Sequence, residues 1–421
     1  MIRFGTDGVR GRVPGEMGPA LALALGNAAA EYAVRVLGGG AVRVAVAQDS
    51  RPSGGMLEAA VIAGITAAGA TAVRCGVLPT PGLSAVVAEE GWAGGVMITA
   101  SHNPAHDNGL KVLDAAGRKP SDAHRRALEG LLAAPLVLAT APGDVHEFAE
   151  AGDLWLAAVR RKVPGGAWLK GTRIVVDAAN GAARGRAAQL VRNLGAEVVT
   201  IGEGSGAQIN EGCGAVHPAL ISAAVLEHAA DAGIALDGDG DRVIVCDDAG
   251  RVLDGDALLW LLADGPVAVG TIMSNEGLAR GLAARGTTLL RTPVGDAHVA
   301  AAMVASGARV GAETSGHVLF ADGLPTGCGL LAGLRALAGG PHRLQARLEG
   351  YAPTVQVHGK RPRQSLEVLA PTIAQLEEIG CRVVARASGT EPIVRVMVEH
   401  ADAARARAGL DRLLALLGET A

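Results

Sequence analysis

The chain has 421 residues, 49% of them hydrophobic, 2% aromatic and 19% charged, with a formal net charge of −4. That length exceeds what one hydrophobic core usually organises, so about two to four domains are expected. The mild acidity excludes a global basic field for nucleic acid, and the shortage of aromatic rings excludes a stacking platform for single strands. In chain order, the opening "MIRFGTDGVRG" lacks the apolar centre of a signal peptide. One pattern then occurs three times, starting at Ala41, Thr172 and Gly265. Each copy is a Val-rich run, a polar turn, a small-residue helical pattern, a glycine and a second apolar run. This predicts strand–helix–strand units in mixed or parallel sheets, and copies so far apart predict three similar domains, not a solenoid. The last stretch, from "LEVLAPTIAQLEEIG" onward, reads as helix, strand, loop, strand, helix, a small α+β domain. The preceding "GGPHRLQARLEGYAPTVQVHGK" reads as a linker region. Domain spans of 1–150, 151–250, 251–345 and 346–421 follow.

No apolar run approaches about 18 residues, so no membrane span is expected. Cys75, Cys213, Cys246, Cys328 and Cys381 are scattered without a C-x-x-C pair. They suit free thiols in a reducing cytoplasm better than a disulfide framework or a zinc site.

Four stretches carry chemistry. "TASHNPAHDNGLKVLD" (99–114) places Ser101 on a loop between two strands, with His102 and Lys111 close in sequence and Asn108-Gly109 as a tight-turn signal. A hydroxyl there is either a nucleophile awaiting a base or an electrostatic partner, or a turn former bonding backbone groups. "ALDGDGDRVIVCDD" alternates Asp237, Asp239 and Asp241 with glycines. In an extended loop the three carboxylates share one side, and three crowded carboxylates call for a hard cation such as Mg²⁺. The EF-hand pattern fails, because Arg242 stands where that loop needs Gly and Asp248 where it needs Glu. A solvated acidic turn is the plain alternative.

"GAETSGHVLF" alternates Glu313, Ser315 and His317, a set able to read vicinal sugar hydroxyls, or else a polar edge strand. "RASGTEPIVR" offers Arg386, Ser388, Gly389, Thr390 and Arg395, the inventory of a phosphate nest or of a turn with solvent-facing arginines. No G-x-x-x-x-G-K-[ST] sequence is present, and "GEGSGA" at Gly202 is too degenerate to indicate dinucleotide binding.

Together, "FGTDGVRG", "TASHNP", "DGDGDR", "GAETSGH" and "RASGTEP", in this order over essentially the whole chain, resemble the α-D-phosphohexomutase superfamily. "INEGCGAVHP" from Ile209 and "RTPVGDAHV" from Arg291 make the resemblance strongest to the bacterial phosphoglucosamine mutases. The resemblance implies an α/β protein: three similar mixed-sheet α/β domains plus a C-terminal α+β domain around a central cleft, with one motif from each. It implies Ser101 as a phosphoserine, with Ser101, Asp237, Asp239 and Asp241 around one Mg²⁺. It implies Glu313 and Ser315 on sugar hydroxyls. Arg386, Ser388, Gly389, Thr390 and Arg395 would lie on the phosphate that is not transferring. Arg10, Lys111, Arg242 and His317 match cleft positions, Lys111 and His317 being the candidates for proton transfer, and His102 joins the substrate residues.

The implied reaction interconverts glucosamine 6-phosphate and glucosamine 1-phosphate through a hexose 1,6-bisphosphate that also primes the enzyme. This step serves amino-sugar nucleotide and cell-wall precursor synthesis. A phosphomannomutase or phosphoglucomutase, and a non-catalytic sugar-phosphate binder, are the alternatives. The partner is a small hexose phosphate and the protein a cytoplasmic monomer or homodimer. Two positions depart from the family pattern: Cys328 stands in "PTGCG" where members usually carry Asp, and Ala387 where a basic residue is common.

Overall fold

The computed structural model describes residues 8–37, 42–388 and 393–418, organised around four sheets. The first contains β1 (Val9–Arg12), β2 (Arg43–Gln48), β3 (Thr71–Val77), β4 (Gly94–Ile98), β5 (Asp107–Leu113) and β6 (Val145–Glu147), in the spatial order β1-β5-β4-β2-β3-β6. The second contains β7 (Arg173–Asp177), β8 (Glu197–Ile201), β9 (Ala232–Leu236), β10 (Val243–Asp247) and β11 (Val252–Leu253), ordered β11-β10-β9-β7-β8. The third contains β12 (Val267–Thr271), β13 (Thr288–Thr292), β14 (Val310–Ala312) and β15 (Val318–Phe320), ordered β13-β12-β14-β15. The fourth contains β16 (Val355–Pro362), β17 (Arg382–Ala387) and β18 (Ile393–His400), ordered β16-β18-β17 and wholly antiparallel.

The three repeats of the sequence are the parallel pairs β2/β3, β7/β8 and β12/β13. The helices Gly54–Ala67, Arg186–Asn193 and Glu276–Ala284 cross over between them. A parallel pair needs such a crossover, which is why each repeat alternates Val-rich runs with a helical pattern. Each of these sheets also contains an antiparallel pair formed by strands that follow one another in the chain, β4/β5, β9/β10 and β14/β15, and the second sheet adds β10/β11. In the fourth sheet β17/β18 is the equivalent. Every chemistry-bearing motif occupies the turn of β4/β5, β9/β10, β14/β15 or β17/β18.

The largest buried cluster runs through the first three units, from Ala45 and Trp155 through Ile174 to Leu330 and Leu348. The C-terminal sheet has a separate core built from Val357, Leu376, Val396, Val398 and Leu410. It meets the third unit through polar side chains described below.

Two local expectations are corrected. The stretch expected as a linker ends inside β16, which pairs along all eight residues with β18. Its alternation Val355, Val357, Gly359 is a strand period interrupted by a small residue, so the pattern is hidden. Asn108-Gly109 is not a turn but lies inside β5. A Cβ on Gly109 would sit 2.6 Å from the Thr99 carbonyl oxygen and 2.7 Å from that of Val9, so glycine is needed for close backbone approach. The second sheet's edge strand β11 lies beyond residue 250, and the helix Leu344–Arg347 straddles residue 345, with Leu344 and Leu348 in the large core. Among the described residues no helix is long and apolar enough to cross a membrane, and all five cysteines are free and buried.

Candidate active site

Ser101 occupies the turn between β4 and β5 with a left-handed φ of 53°. A non-glycine residue pays about 1–2 kcal/mol for that conformation, and neighbouring bonds hold it there. Its N–H donates to the Thr99 hydroxyl at 2.9 Å. Its carbonyl accepts from Arg51 Nη2 at 2.9 Å and from Asn210 Nδ2 at 2.9 Å. Arg51 is a fully buried hub. It pairs with Asp49 at 3.0 Å and also donates to the carbonyls of Asn103, Pro104 and Asp107. The serine loop is therefore drawn around one guanidinium. Asn210 extends the clamp: its Oδ1 accepts from the Gly238 N–H at 2.9 Å, joining the serine loop to the aspartate turn.

The aspartate turn is tight, not extended. The Gly240 N–H donates to the Asp237 carbonyl at 3.0 Å, and Gly240 has φ +70°. The expected convergence of Asp237, Asp239 and Asp241 thus comes from a hairpin reversal and not from strand alternation. All three are buried, and their oxygens lie within 4.8 Å of one another. The Ser101 hydroxyl donates to Asp237 Oδ2 at 2.7 Å. Lys111, on β5, bridges Asp239 at 2.6 Å and Asp241 at 3.2 Å. Thr80 donates its hydroxyl to Asp239 at 2.6 Å and its N–H to the Asp239 carbonyl at 2.9 Å, bringing a helix N-terminus of the first unit onto the turn.

Burial, reinforced by Asp241 and Asp239, pushes the Asp237 carboxyl well above its ordinary range. Burial acts in the same sense on Asp241, but Lys111, His317 and Arg242 outweigh it and hold that carboxyl well below. Asp239 Oδ1 and Asp241 Oδ1 are buried without a hydrogen-bond donor. Two orphaned carboxylate oxygens beside a third carboxylate and a hydroxyl form an all-oxygen donor set, which fits a hard divalent cation.

His317 lies in the β14/β15 turn and is bridged in antiparallel fashion to Arg242 of the aspartate turn. Its Nδ1 is 3.7 Å from Asp241 and its Nε2 is 3.3 Å from Asp296, at ion-pair distance but without hydrogen-bond alignment. Burial pulls the imidazole pKa down, but Asp241 and Asp296 outweigh it and raise it to about 9. Asp296 also pairs with Lys119 at 2.5 Å, linking the first unit to the third. Gly327 makes room for this ring, since a Cβ there would sit 2.3 Å from Nε2. Next to it Cys328 is buried, beginning the helix Gly329–Leu337, and the Gly329 N–H donates to the Gly240 carbonyl at 3.0 Å. His102 lies on the open side of Ser101, its Nδ1 3.4 Å from the hydroxyl. Burial, then Arg242 and Arg10, depress its pKa to about 4, so its ring is neutral near pH 7.

Glu313, Ser315 and His317 alternate in the chain but do not share one face. The Glu313 N–H donates to the His317 carbonyl and the Gly316 N–H to the Glu313 carbonyl, both at 2.9 Å, closing a tight turn. His317 is buried, Glu313 half-buried and Ser315 exposed. Glu313 accepts from the Gly295 N–H at 2.9 Å, and its charge acts on both Arg242 and Arg386. Arg386 and Arg395 are register partners on β17 and β18. Burial, then Arg395, lower the Arg386 pKa, and its buried Nε has no hydrogen-bond partner. Like charges placed opposite one another cost stability, and the pair is chemically suited to an anion. Ser388 is buried and donates its N–H to the Ile393 carbonyl at 2.8 Å. Gly389 and Thr390 lie outside the described residues.

Sequence reasoning missed Arg51, Asp49, Asn210, Thr80, Asp296 and Lys119. The only signal was indirect: "INEGCGAVHP" and "RTPVGDAHV" contain Asn210 and Asp296 without revealing a role.

Comparison with known proteins agrees with this geometry. Family models described as phosphoglucomutase/phosphomannomutase match residues 1–135 (α/β/α domain I), 165–250 (domain II), 254–340 (domain III) and 356–416 (C-terminal domain). The chain is 42% identical to a phosphoglucosamine mutase of Maricaulis maris, over 94% of each chain. Among solved structures it matches a phosphoglucomutase/phosphomannomutase family protein of Burkholderia thailandensis with a TM-score of 0.82 and 26% identity, over 100% of this chain and 99% of that one. It also shares the fold of an Aspergillus fumigatus N-acetylphosphoglucosamine mutase solved with GlcNAc-6P and magnesium, with a TM-score of 0.68 and 17% identity over 99% and 95% of the chains. With four domain matches in order and a curated relative this similar over nearly its whole length, the chain belongs to the phosphoglucomutase/phosphomannomutase family of phosphohexomutases and stands in it with the bacterial phosphoglucosamine mutases.

Proposed function

We propose that this protein interconverts glucosamine 6-phosphate and glucosamine 1-phosphate, with Ser101 carrying the phosphoryl group. The observation that carries the reading is the Ser101 hydroxyl held 2.7 Å from Asp237, in a strained turn at the edge of three buried carboxylates. The curated relative named above supports glucosamine as the sugar.

In the forward half-reaction the sugar's 1-hydroxyl attacks the phosphorus on phospho-Ser101. The bond from Ser101 Oγ to phosphorus breaks as the new P–O bond forms, leaving a 1,6-bisphosphate and the free serine. The bisphosphate turns over in the cleft, and Ser101 Oγ then attacks the 6-phosphate, which restores the phosphoserine and releases glucosamine 1-phosphate. Phosphoryl transfer asks mainly for positioning and charge neutralisation. Arg51 and Asn210 fix the serine backbone, which holds its oxygen on one line of attack. Asp237, Asp239, Asp241 and the serine's own oxygen would hold Mg²⁺, which supplies Lewis-acid neutralisation of the transferring group. Lys111 and His317, both against the aspartates, serve the proton of the attacking hydroxyl. Glu313 and Ser315 address the sugar hydroxyls, with His102, Arg10 and Arg242 facing the reacting phosphate. Arg386, Ser388, Gly389, Thr390 and Arg395 hold the idle phosphate in both orientations. The protein acts as a cytoplasmic enzyme.

Turnover of glucosamine, mannose and glucose phosphates side by side tests the reading, with Mg²⁺ present or chelated and with or without a hexose 1,6-bisphosphate primer. The expected result is fastest conversion of glucosamine 6-phosphate, abolished by chelation and accelerated by the primer. Faster conversion of mannose 1-phosphate would overturn the sugar assignment.

A further inference from the structure

The fourth sheet touches the rest of the protein through a row of side chains on the face opposite its own core. Glu399 on β18 is 2% exposed. Its carboxylate accepts from the Glu276 N–H at 2.6 Å, from Arg382 Nε at 2.7 Å, from Gln356 Nε2 at 3.2 Å and from the Thr354 hydroxyl. Arg382, its register partner on β17, also donates to the carbonyls of Ile272 at 2.7 Å and Ser274 at 2.9 Å. Gln356, the partner on β16, donates to the Met273 carbonyl at 3.0 Å. Asn275 completes the joint by exchanging two 2.9 Å bonds with the Thr354 backbone, as a neighbouring strand would. One buried carboxylate thus binds three strands of the fourth sheet to the 272–276 turn of the third unit.

The same strands carry the anion site. Four residues along, in the same register and on the same face, Arg395 lies between Arg386 and Lys360. At a rise of about 3.3 Å per residue that row lies about 13 Å from the carboxylate. Between the two rows, beneath Met273, is a pocket of about 360 Å³ lined by Met273, His358, Met397 and the three cations. The sheet is therefore fastened at one end and has open space under the other. With a core of its own and open space beneath its cationic end, the sheet depends on this joint for where that end sits.

We propose that Arg382 and Glu399 are positioning residues for the reaction: fastened to the 272–276 turn, they set where the cationic row of the fourth sheet meets the substrate's idle phosphate. The inference rests on the mutase reading above. Neither residue touches substrate. Each acts through Arg386 and Arg395, four positions along the strand.

The test uses the full-length protein with Mg²⁺ and a 1,6-bisphosphate primer, on the hexose 6-phosphate that the unaltered protein converts fastest. Arg382→Lys keeps the charge but cannot fork to Glu399, Ile272 and Ser274 at once. Glu399→Gln keeps the shape and removes the charge. Both are expected to raise KM by about tenfold or more, with kcat changed less than about threefold and the Mg²⁺ requirement unmoved. Combining Glu399→Gln with Arg386→Ala is expected to cost less than the product of the single effects, because a misplaced arginine has less to lose. Damage that is merely structural would multiply through and would also shift the Mg²⁺ requirement. A KM for Arg382→Lys within twofold of the unaltered protein, or full multiplicativity, overturns the proposal and leaves the mutase reading standing. If Glu399→Gln does not fold, Arg382→Lys with and without Arg386→Ala decides alone. An unaltered protein that converts no hexose phosphate removes both readings together.

Discussion

The serine–aspartate centre and the cationic row of the C-terminal sheet, which the proposed reaction assigns to one substrate, are built in opposite ways. Ser101, Asp237, Asp239 and Lys111 are buried and joined by hydrogen bonds and ion pairs between the first and second units, and the first three units share one continuous core. Arg395 and Lys360 are exposed, on a sheet with its own small core and a polar joint. A reacting oxygen misplaced by about 1 Å can cost about a hundredfold in rate, so the chemical centre is locked. A phosphate site that must accept either end of a turning bisphosphate gains from a hinge instead.

This contrast can be broken most severely at its rigid end. Ser101→Ala removes the oxygen that the proposed reaction uses to carry the phosphoryl group. Turnover is expected to fall by about 10⁴-fold or more, and intact-mass measurement should show no phosphate on the chain. If the variant stays phosphorylated at full turnover, the serine is not the carrier.

Next comes the clamp beneath it. Arg51→Ala leaves the buried Asp49 charge uncompensated and frees the carbonyls of the serine loop. Breaking a buried pair costs about 3–5 kcal/mol, so the denaturant midpoint should drop sharply along with turnover. A midpoint unchanged from the parent protein would show that the loop holds itself.

The C-terminal sheet should respond differently. Arg386→Ala removes charge-assisted bonds worth about 1.5–3 kcal/mol, so KM should rise about 10–100-fold, with the unfolding midpoint nearly constant. A loss expressed mainly in stability would place Arg386 with the rigid part.

The smallest effect concerns pH. Burial, then the neighbouring Asp254 carboxylate, push the Asp256 carboxyl up to about 7. The native state then holds a proton that the unfolded chain releases near pH 4. This contribution to stability is complete below about pH 4 and is lost as pH rises through about 7, by up to ~1.4 kcal/mol per pH unit crossed. Asp256→Asn should flatten that part of the stability-versus-pH curve in urea titrations. An unchanged curve would assign the slope to another group.

Much of this was legible beforehand because the informative signals are local. A Val-rich run, a helical pattern and a second run define a crossover unit within about thirty residues, and three parallel pairs lie where those patterns fall. The site motifs were legible for the same reason: Asp237, Asp239 and Asp241 are neighbours in the chain. What was not legible depends on pairs far apart. Arg51 reaches Ser101 across 50 residues, Asn210 across 109, and Lys111 meets Asp241 across 130. No periodicity announces such partners. Two local inferences also failed for a tertiary reason. Asn108-Gly109 has turn chemistry, yet β1 pairs with both residues and claims them for β5. The stretch around Gly359 has linker chemistry, yet β18 recruits it as an edge strand.

Residue order alone determined the crossover units, the four motifs and their succession, since each depends on side-chain periodicity and composition over a few turns of chain. Tertiary structure decided that the motifs all fall on antiparallel hairpins, that those of the first three units interlock in shared burial, and that the fourth stands apart on a carboxylate joint. Those outcomes depend on which distant polar atoms satisfy one another once water is excluded, and that balance exists only when the units are packed.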